Sequence, residues 1–333
     1  MIANAFPTVS IVTPSYNQAE FLESTIRSVF GQDYPAIEYI VVDGGSTDGS
    51  QAIIQQYSSR LAWWVTEPDR GQADAIRKGF NKTSGEILAW LNSDDLYLPG
   101  AVRQAVAALQ AEPAVGLVYG DAITIDGDGK PLKRLAFPNW QAQDLIGFRI
   151  ICQPAVFMRR GVYENSGGID LDYHFMLDHH LWVRMASRAP IKHVPETWAA
   201  ARYHGLAKNV AQATGFGRET LHMLTWIQSK PETRPLFEGN RRKVLAGAYR
   251  LNARYLLEGG LPVEALKSYG KAFLAQPGYT LHHWHRIAYA IAWSIGGKRL
   301  ADRFISIREK PNPELENSES LMGWPGLSLE ESS

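Results

Sequence analysis

The sequence holds a single cysteine, Cys152, among 333 residues, which excludes an internal disulfide and a metal site built from cysteines. That fits a reducing compartment, with Cys152 read as a small buried filler in preference to a reactive thiol. Surplus charge of either sign is also missing, because 34 Lys and Arg balance 34 Asp and Glu. No global field remains to collect nucleic acid or an anionic membrane, and nucleic acid is not expected as a partner. Long apolar runs are absent too: the best candidate, residues 287–295, is about half of the ~20 residues that a membrane span needs. The opening MIANAFPTVSIVTPSYN lacks a basic stretch ahead of an apolar core and a cleavage site, so it does not read as a signal peptide. The expectation is a cytoplasmic chain, with peripheral contact at the inner face of the membrane left open.

Two phosphate-binding loops are missing as well. G-x-G-x-x-G would follow the first strand, where the chain reads TPSYNQAEF, and no G-x-x-x-x-G-K-[ST] occurs. Phosphates, if bound, are then handled by a metal in place of a glycine cradle.

What is present suits a globular chain: 45% apolar, 11% aromatic and 20% charged residues. Its length exceeds the ~100–200 residues of one ordinary domain, which predicts one large or two smaller domains. Residues 9–13, 37–43, 61–66 and 86–91 read as apolar strands, each ending where polar, Gly or Pro residues begin. Between and after them, 19–30, 50–57, 72–80 and 101–111 read as helices. Apolar strands separated by helical crossovers predict an α/β fold with a mostly parallel sheet covered on both faces. Ligands then bind beyond the C-terminal strand ends.

A strand at 115–119, a hairpin around Asp126-Gly127-Asp128-Gly129, a helix over 176–187 and a short strand near 191–194 predict a mixed extension of that sheet. From 210 the chain reads as all helix through 308. Within it Tyr249, Gly260, Ala265, Tyr269, Ala272 and Pro277 fall at the offsets of one tetratricopeptide unit, with Ala253 and Leu256 replacing its early Gly and second aromatic. One unit makes no solenoid, so the expectation is a helix pair packing on the first domain, with a protein-binding surface as the alternative. Residues 309–333, rich in Pro, Ser and Glu, read as disordered. The expected domains are therefore 1–209, a helical module at 210–308 and a tail at 309–333.

Polar residues gather after three strands, as TPSYN at 13–17, DGGSTDG at 43–49 and NSDD at 92–95. On one sheet edge these tips converge. Asp43 ends an apolar strand, where its carboxylate can accept hydrogen bonds from the N–H groups of a planar ring. The alternative is a turn Asp, with Ser46 or Asp48 capping a helix. Asp94 and Asp95 are adjacent carboxylates at a buried strand end, and they repel unless a cation or strong donors share the site. A hard divalent ion, Mg2+ or Mn2+, answers that by linking one or two carboxylates to substrate phosphates. Helix capping is a poor fit, since the next helix starts only after Pro99-Gly100.

The runs PSYNQAEFLESTIRSVFGQDYP, VVDGGSTDGS and EPDRGQADAIRKGFNKTSGEILAWLNSDD resemble the family 2 nucleotide-sugar glycosyltransferases, in the family's order and spacing, over residues 7–205. The resemblance implies a GT-A fold with a Rossmann-like sheet. It implies that Thr13, Pro14 and Tyr16 line a nucleotide pocket, that Asp43 binds the base, and that NSDD stands in the place of the DxD metal motif. Asn92 replaces the first acidic residue of that motif, which shifts metal ligation to Asp94 and Asp95. Residues 167–188 resemble the acceptor-side motif, with Asp178 at the position of the general base and Leu177 where Glu is common. Asp178, Leu181, Trp182 and Met185 also share one helical face, so the carboxylate opens an apolar stripe, as a desolvated proton acceptor requires. A dipole-favoured Asp at a helix start is the alternative, and His179 or His180 could also face the site. His204 matches a His that contacts metal or diphosphate in many relatives. Lys208 and Arg70 are candidates to meet phosphate, the alternative for Arg70 being a surface salt bridge.

The resulting expectation is an inverting, metal-dependent glycosyltransferase. It moves a sugar from a nucleotide diphosphate-sugar, UDP-linked, to a hydroxyl on a saccharide or lipid-linked acceptor, in polysaccharide or glycoconjugate biosynthesis. A nucleotidyltransferase and a catalytically silent sugar-nucleotide binder are the rival readings.

Overall fold

The computed structural model describes residues 6–205 and 211–299. Lys208, the far end of the helical module and the tail at 309–333 lie outside the described residues.

The first unit comprises Met1–Gln141 and Ile151–Tyr203 within the described span. Its first half runs β1 (Val9–Ser15), α1 (Ala19–Phe30), β2 (Ile37–Asp43), α2 (Ser50–Tyr57), β3 (Trp63–Thr66), α3 (Gln72–Phe80), β4 (Ile87–Trp90), β5 (Leu96–Tyr97) and α4 (Ala101–Ala111). The four helices fall where their apolar periodicity places them. β1 is buried at every residue, as a strand covered on both faces must be. Strands β3, β2, β1 and β4 lie side by side in that order, all parallel, so their C-terminal tips share one edge.

Beyond β4 the sheet becomes mixed. β6 (Leu117–Ile125) forms the expected hairpin with β7 (Pro131–Leu135), pairing Ala122 with Leu135. Two features were not expected: β8 (Val156–Arg159) inserts antiparallel between β4 and β6, and β9 (Ile191–Arg202) runs for 12 residues where a short strand was read. Pro195-Glu196 breaks the apolar pattern of β9, and the pairing with β6 shifts register there, between Gly120 and Ala122. Past the shift β9 resumes with Ala199 against Ala122 and reaches Arg202. β5 pairs only with this continuation.

Helices α6 (Arg160–Asn165) and α7 (Leu177–Ala186) complete the unit. α7 docks through Leu181, Trp182 and Met185, all at most 1% exposed, and the Trp182 ring stacks on Trp90 of β4 with centroids 5.0 Å apart. Trp90 is two residues before Asn92, and Trp182 one helical turn after Asp178. This stack therefore sets the position of Asp178 relative to the acidic turn.

The second unit gathers Ala142–Ile150, with α5 (Ala142–Leu145), and the chain from His204 onward. Its helices are α8 (Ala213–Ser229), α9 (Arg234–Glu258), α10 (Pro262–Ala275), α11 (Pro277–Leu281) and α12 (Trp284–Gly296). The segment 142–150 is strapped to α9 by Lys243 on Asp144 at 2.7 Å and by Arg250 donating to the Phe148 carbonyl at 3.0 Å. α9 and α10 form the helix pair read from the tetratricopeptide-like spacing, with Asn252 and the Tyr249 carbonyl both bonded to Ser268. Among the described residues no helix is long and apolar enough to cross a membrane.

Candidate active site

The parallel strands end in loops that are bonded to one another in series. After β1, Asn17 takes a left-handed conformation (φ 50°) and reaches into the loop after β2. Its backbone N–H donates to Ser46 Oγ at 2.8 Å, and its side-chain oxygen accepts from the Thr47 amide at 2.9 Å. Asp48 caps α1 from that same loop by accepting the Ala19 amide at 2.8 Å. Burial opposes its charge, yet the bonds from Ala19 and Ser50 hold its carboxyl below the usual range.

Asp43 lies at the tip of β2 with no exposed surface. Its Oδ2 accepts the amides of Gly45 and Ser46, at 3.2 and 2.9 Å, and its Oδ1 accepts the Ser46 hydroxyl. Both oxygens of the Asp43 carboxylate thus accept bonds from its own turn. Gly45 at φ 85° lets the backbone fold around the carboxylate.

Asp69, in the loop after β3, was not singled out by the sequence reading. Its Oδ2 lies 2.9 Å from where a Cβ on Gly44 would stand, so the absence of a side chain at 44 admits this carboxylate to the Asp43 tip. Burial pushes the Asp69 carboxyl up, and Asp43 and Asp74 add to that. Arg70 next to it is 72% exposed and paired with Asp74 at 3.3 Å, the surface ion pair named as its alternative.

The β4 tip is joined to this series by Gln72, the first residue of α3, which donates to the Asn92 side-chain oxygen at 2.7 Å. The Asn92 amide nitrogen in turn donates to Asp95 Oδ2 and to Gln153 Oε1, both at 3.1 Å. Gln153 is anchored on the Trp90 carbonyl at 2.8 Å. Asn92 thus organises the turn. An Asp there would set a second carboxylate against Asp95 at hydrogen-bond distance and lose both donor bonds.

Asp95 is 6% exposed. Burial, then the neighbouring Asp94, holds its carboxyl well above the usual carboxylate range, against the bonds from Arg202 and Asn92. Arg202, at the end of β9, ties the turn from behind. Its amide meets Asp95 Oδ1 at 3.0 Å, its Nε the Asp94 carbonyl at 3.0 Å, and its Nη1 the carbonyls of Asp126 and Gly127. The guanidinium also sits 4.7 Å above the Phe21 ring. Sequence reasoning missed Arg202, although a lone charge ending the small, apolar run Trp198–Ala201 was a usable signal.

Asp178 stands in the first turn of α7, partly exposed, with Oδ1 accepting the His179 amide at 2.6 Å. Its carboxylate and that of Asp95 both act on the Cys152 thiol, which burial first and these charges second push up. The Trp182–Trp90 stack packs the helix that carries Asp178 on the strand that leads into the acidic turn. The raised thiol also fits the reading of Cys152 as filler. Leu177 is 4% exposed, so a Glu there would be a buried charge. His179 and His180 are each 1% exposed, and His180 stacks on Tyr173 at 3.9 Å beside Asp170.

Of the residues expected to line a nucleotide pocket, Thr13 is buried with its hydroxyl on Tyr39 Oη at 2.9 Å, Pro14 is buried, and Tyr16 is 63% exposed. His204 opens the C-terminal part of the second unit.

Two adjacent carboxylates at one turn, Asp94 and the buried Asp95, suit a hard cation. Among the described residues no cluster of three or more His, Cys, Asp or Glu forms a complete metal site. The protein therefore offers two oxygen donors at the turn, which fits Mg2+ or Mn2+ completed by substrate phosphates and water.

A parallel sheet continued by antiparallel strands, with an acidic turn at its tips, is the architecture of GT-A glycosyltransferases. PcManGT, a mannosyltransferase of Pyrobaculum calidifontis in complex with GDP-Man and Mn2+, matches with a TM-score of 0.59 at 21% identity, over 88% of each chain. S. aureus TarS in complex with UDP-GlcNAc matches at 0.61 and 15% identity, over 90% of this chain and 92% of that one. In sequence, the family model for glycosyl transferase family 2 matches residues 10–167. A glycosyltransferase of Mycobacterium tuberculosis is 34% identical over 185 residues, 54% of this chain and 69% of the relative. TuaG of Bacillus subtilis, by name a teichuronic acid biosynthesis glycosyltransferase, is 32% identical over 136 residues, 40% and 54% of the two chains. The chain belongs to glycosyltransferase family 2.

Proposed function

We propose that this chain is an inverting glycosyltransferase that moves a sugar from a nucleotide diphosphate-sugar, UDP-linked, to a hydroxyl of a saccharide or lipid-linked acceptor. Its setting would be polysaccharide or glycoconjugate assembly on the cytoplasmic face of a membrane. The observation that supports the reading is the stack of Trp182 on Trp90, which packs α7, bearing Asp178, on the strand that leads into the acidic turn.

The nucleotide is received by the tips of β1 and β2, with Thr13, Pro14 and Tyr16 along its path and Asp43, once its turn opens, for a base N–H. Arg70, whose exposed ion pair with Asp74 is cheap to exchange, turns to the diphosphate. Asp94 and Asp95 would hold Mg2+ or Mn2+, which supplies Lewis-acid stabilisation of the charge growing on the departing diphosphate. His204 is kept as a further ligand on the resemblance alone. Asn92 and Arg202 fix the acidic turn so that Asp94 is presented without reorganisation.

Asp178 takes the proton of the acceptor hydroxyl as that oxygen forms its bond to the anomeric carbon. The bond from that carbon to the diphosphate oxygen breaks with its electron pair on the nucleoside diphosphate. One displacement inverts the anomeric centre. A silent binder or assembly protein is less well supported, because two of the three features that suggested it, all but the helical module, have structural reasons: Asn92 donates to Asp95, and Leu177 fills a buried position.

The test is a donor screen by thermal shift with Mn2+, followed by acceptor trials that read the released nucleotide. Release of nucleoside diphosphate is expected. Release of sugar 1-phosphate from the donor, or of pyrophosphate when a nucleoside triphosphate and a sugar 1-phosphate are supplied instead, would establish a nucleotidyltransferase.

A further inference from the structure

The chain as a whole is neutral, yet its charge is unevenly spread. Residues 265–299 contain Lys267, Lys271, Arg286, Lys298 and Arg299 and no Asp or Glu. The same stretch holds most of the exposed large apolar side chains of the second unit, among them Leu274 at 85%, Leu281 at 53%, Trp284 at 51%, Ile291 at 44% and Ile295 at 83%.

Helix α12 shows how they are arranged. Its inward face carries Tyr289, Ala290 and Trp293, which pack on Leu257 and Ala265 of the preceding helix pair. The residues i, i+7 and i+11 from Trp284, which are Ile291 and Ile295, fall together on the opposite side. A surface helix ordinarily turns charge outward, but α12 turns an aromatic and two isoleucines outward and places Lys298 and Arg299, both exposed, just past its last turn. On α10 the i, i+4 and i+11 positions Val263, Lys267 and Leu274 repeat the mixture of exposed apolar and basic groups.

We infer that the outward face of α12, with Leu281 before it and Lys298-Arg299 after it, is a docking surface for an anionic lipid bilayer. Apolar side chains of this kind enter the boundary between headgroups and acyl chains, Trp prefers that interface, and Lys and Arg meet lipid phosphates. Arg286 is paired with Glu258, but the exposed Lys267, Lys271, Lys298 and Arg299 leave this side basic, and charge complementarity selects a negative surface as the occupant. The inference rests on no assumption about donor or acceptor, and its readout needs neither.

The full chain is floated with vesicles of pure phosphatidylcholine and with vesicles of phosphatidylcholine mixed with phosphatidylglycerol, at low and high salt. Binding to the mixed vesicles is expected, at least roughly tenfold weaker on pure phosphatidylcholine and at high salt. Ile291→Glu with Ile295→Glu should abolish flotation. Lys298→Ala and Arg299→Ala, at an exposed helix end where folding is not at stake, should each weaken it roughly fivefold. Equal binding to both vesicle types, binding to neither, or flotation unchanged in the Lys298→Ala and Arg299→Ala chains would overturn the inference. So would a dimer in light scattering that Ile295→Glu dissolves while vesicles stay unbound, which would make the face a contact between copies.

Discussion

Two strand tips of the same sheet carry aspartates in different states. At the β2 tip, Asp43 is fully buried and surrounded by donors from its own turn, so its charge is spent on shaping the loop. At the β4 tip, Asp95 is almost as buried, but its neighbour is another acid and its carboxyl is pushed well up. Asp43 is held by donors of its own turn alone, whereas Asp95 is held by Asn92 and by Arg202 from β9 and still faces a second acid. In the sequence both acids lie in polar runs that follow an apolar strand, Asp43 at the head of DGGSTDG and Asp95 at the end of NSDD. The donors around them make the difference.

The largest expected effect breaks the comparison at the β4 tip. Asp94→Ala or Asp95→Ala, or excess chelator on the parent, should lower sugar transfer roughly 100-fold or more, read as initial rate of nucleoside diphosphate release. Full activity in chelator would remove the metal from the account. At the β2 tip the expected loss is smaller and does not depend on metal. Asp43→Ala leaves the Gly45 and Ser46 amides without their acceptor, at a cost of about 1–3 kcal/mol in denaturant unfolding, and it weakens donor binding with or without Mn2+. Donor affinity equal to that of the parent would discard the role of Asp43 at the base.

Gly44→Ala sharpens the same contrast with a milder change. A Cβ there pushes the Asp69 carboxylate aside, so a modest loss of donor affinity is expected in calorimetry with little change in folding. Glu38 is a control remote from the tips. Burial works against its charge, but Ser10, Ser84 and Gly85 donate to it and hold its carboxyl below the usual range. A lowered folded value means that its contribution is present above the ordinary Glu range and disappears as pH falls through the folded value. Glu38→Gln should lower the melting temperature by roughly 2–4 °C at neutral pH, with the gap closing in acid and transfer unaffected.

How legible the molecule was in its sequence follows from how local each determinant is. Helices at 19–30, 50–57, 72–80 and 101–111 were readable because their apolar period is intact and their neighbours are Gly, Pro or polar. The two residues of β5 and the far half of β9 were not, because they pair only through distant strands and a register shift at Gly120–Asp121. The GT-A class was legible through its motifs. Gln72 and Gln153, which hold the acidic turn, carry no local pattern, and Arg202 shows only a lone charge after an apolar run; their joint role became visible when the sheet brought β4, the turn before β8 and the end of β9 together.

The central claim is transfer by direct displacement with Asp178 as the base, and Asp178→Asn tests it most directly. The parent and the variant are compared by calorimetric donor affinity and by acceptor-dependent turnover. The account predicts donor affinity within about twofold of the parent and turnover lower by roughly 100-fold or more, as loss of a positioned general base requires. Lost donor binding with unchanged turnover of bound donor would contradict it and make Asp178 a binding residue.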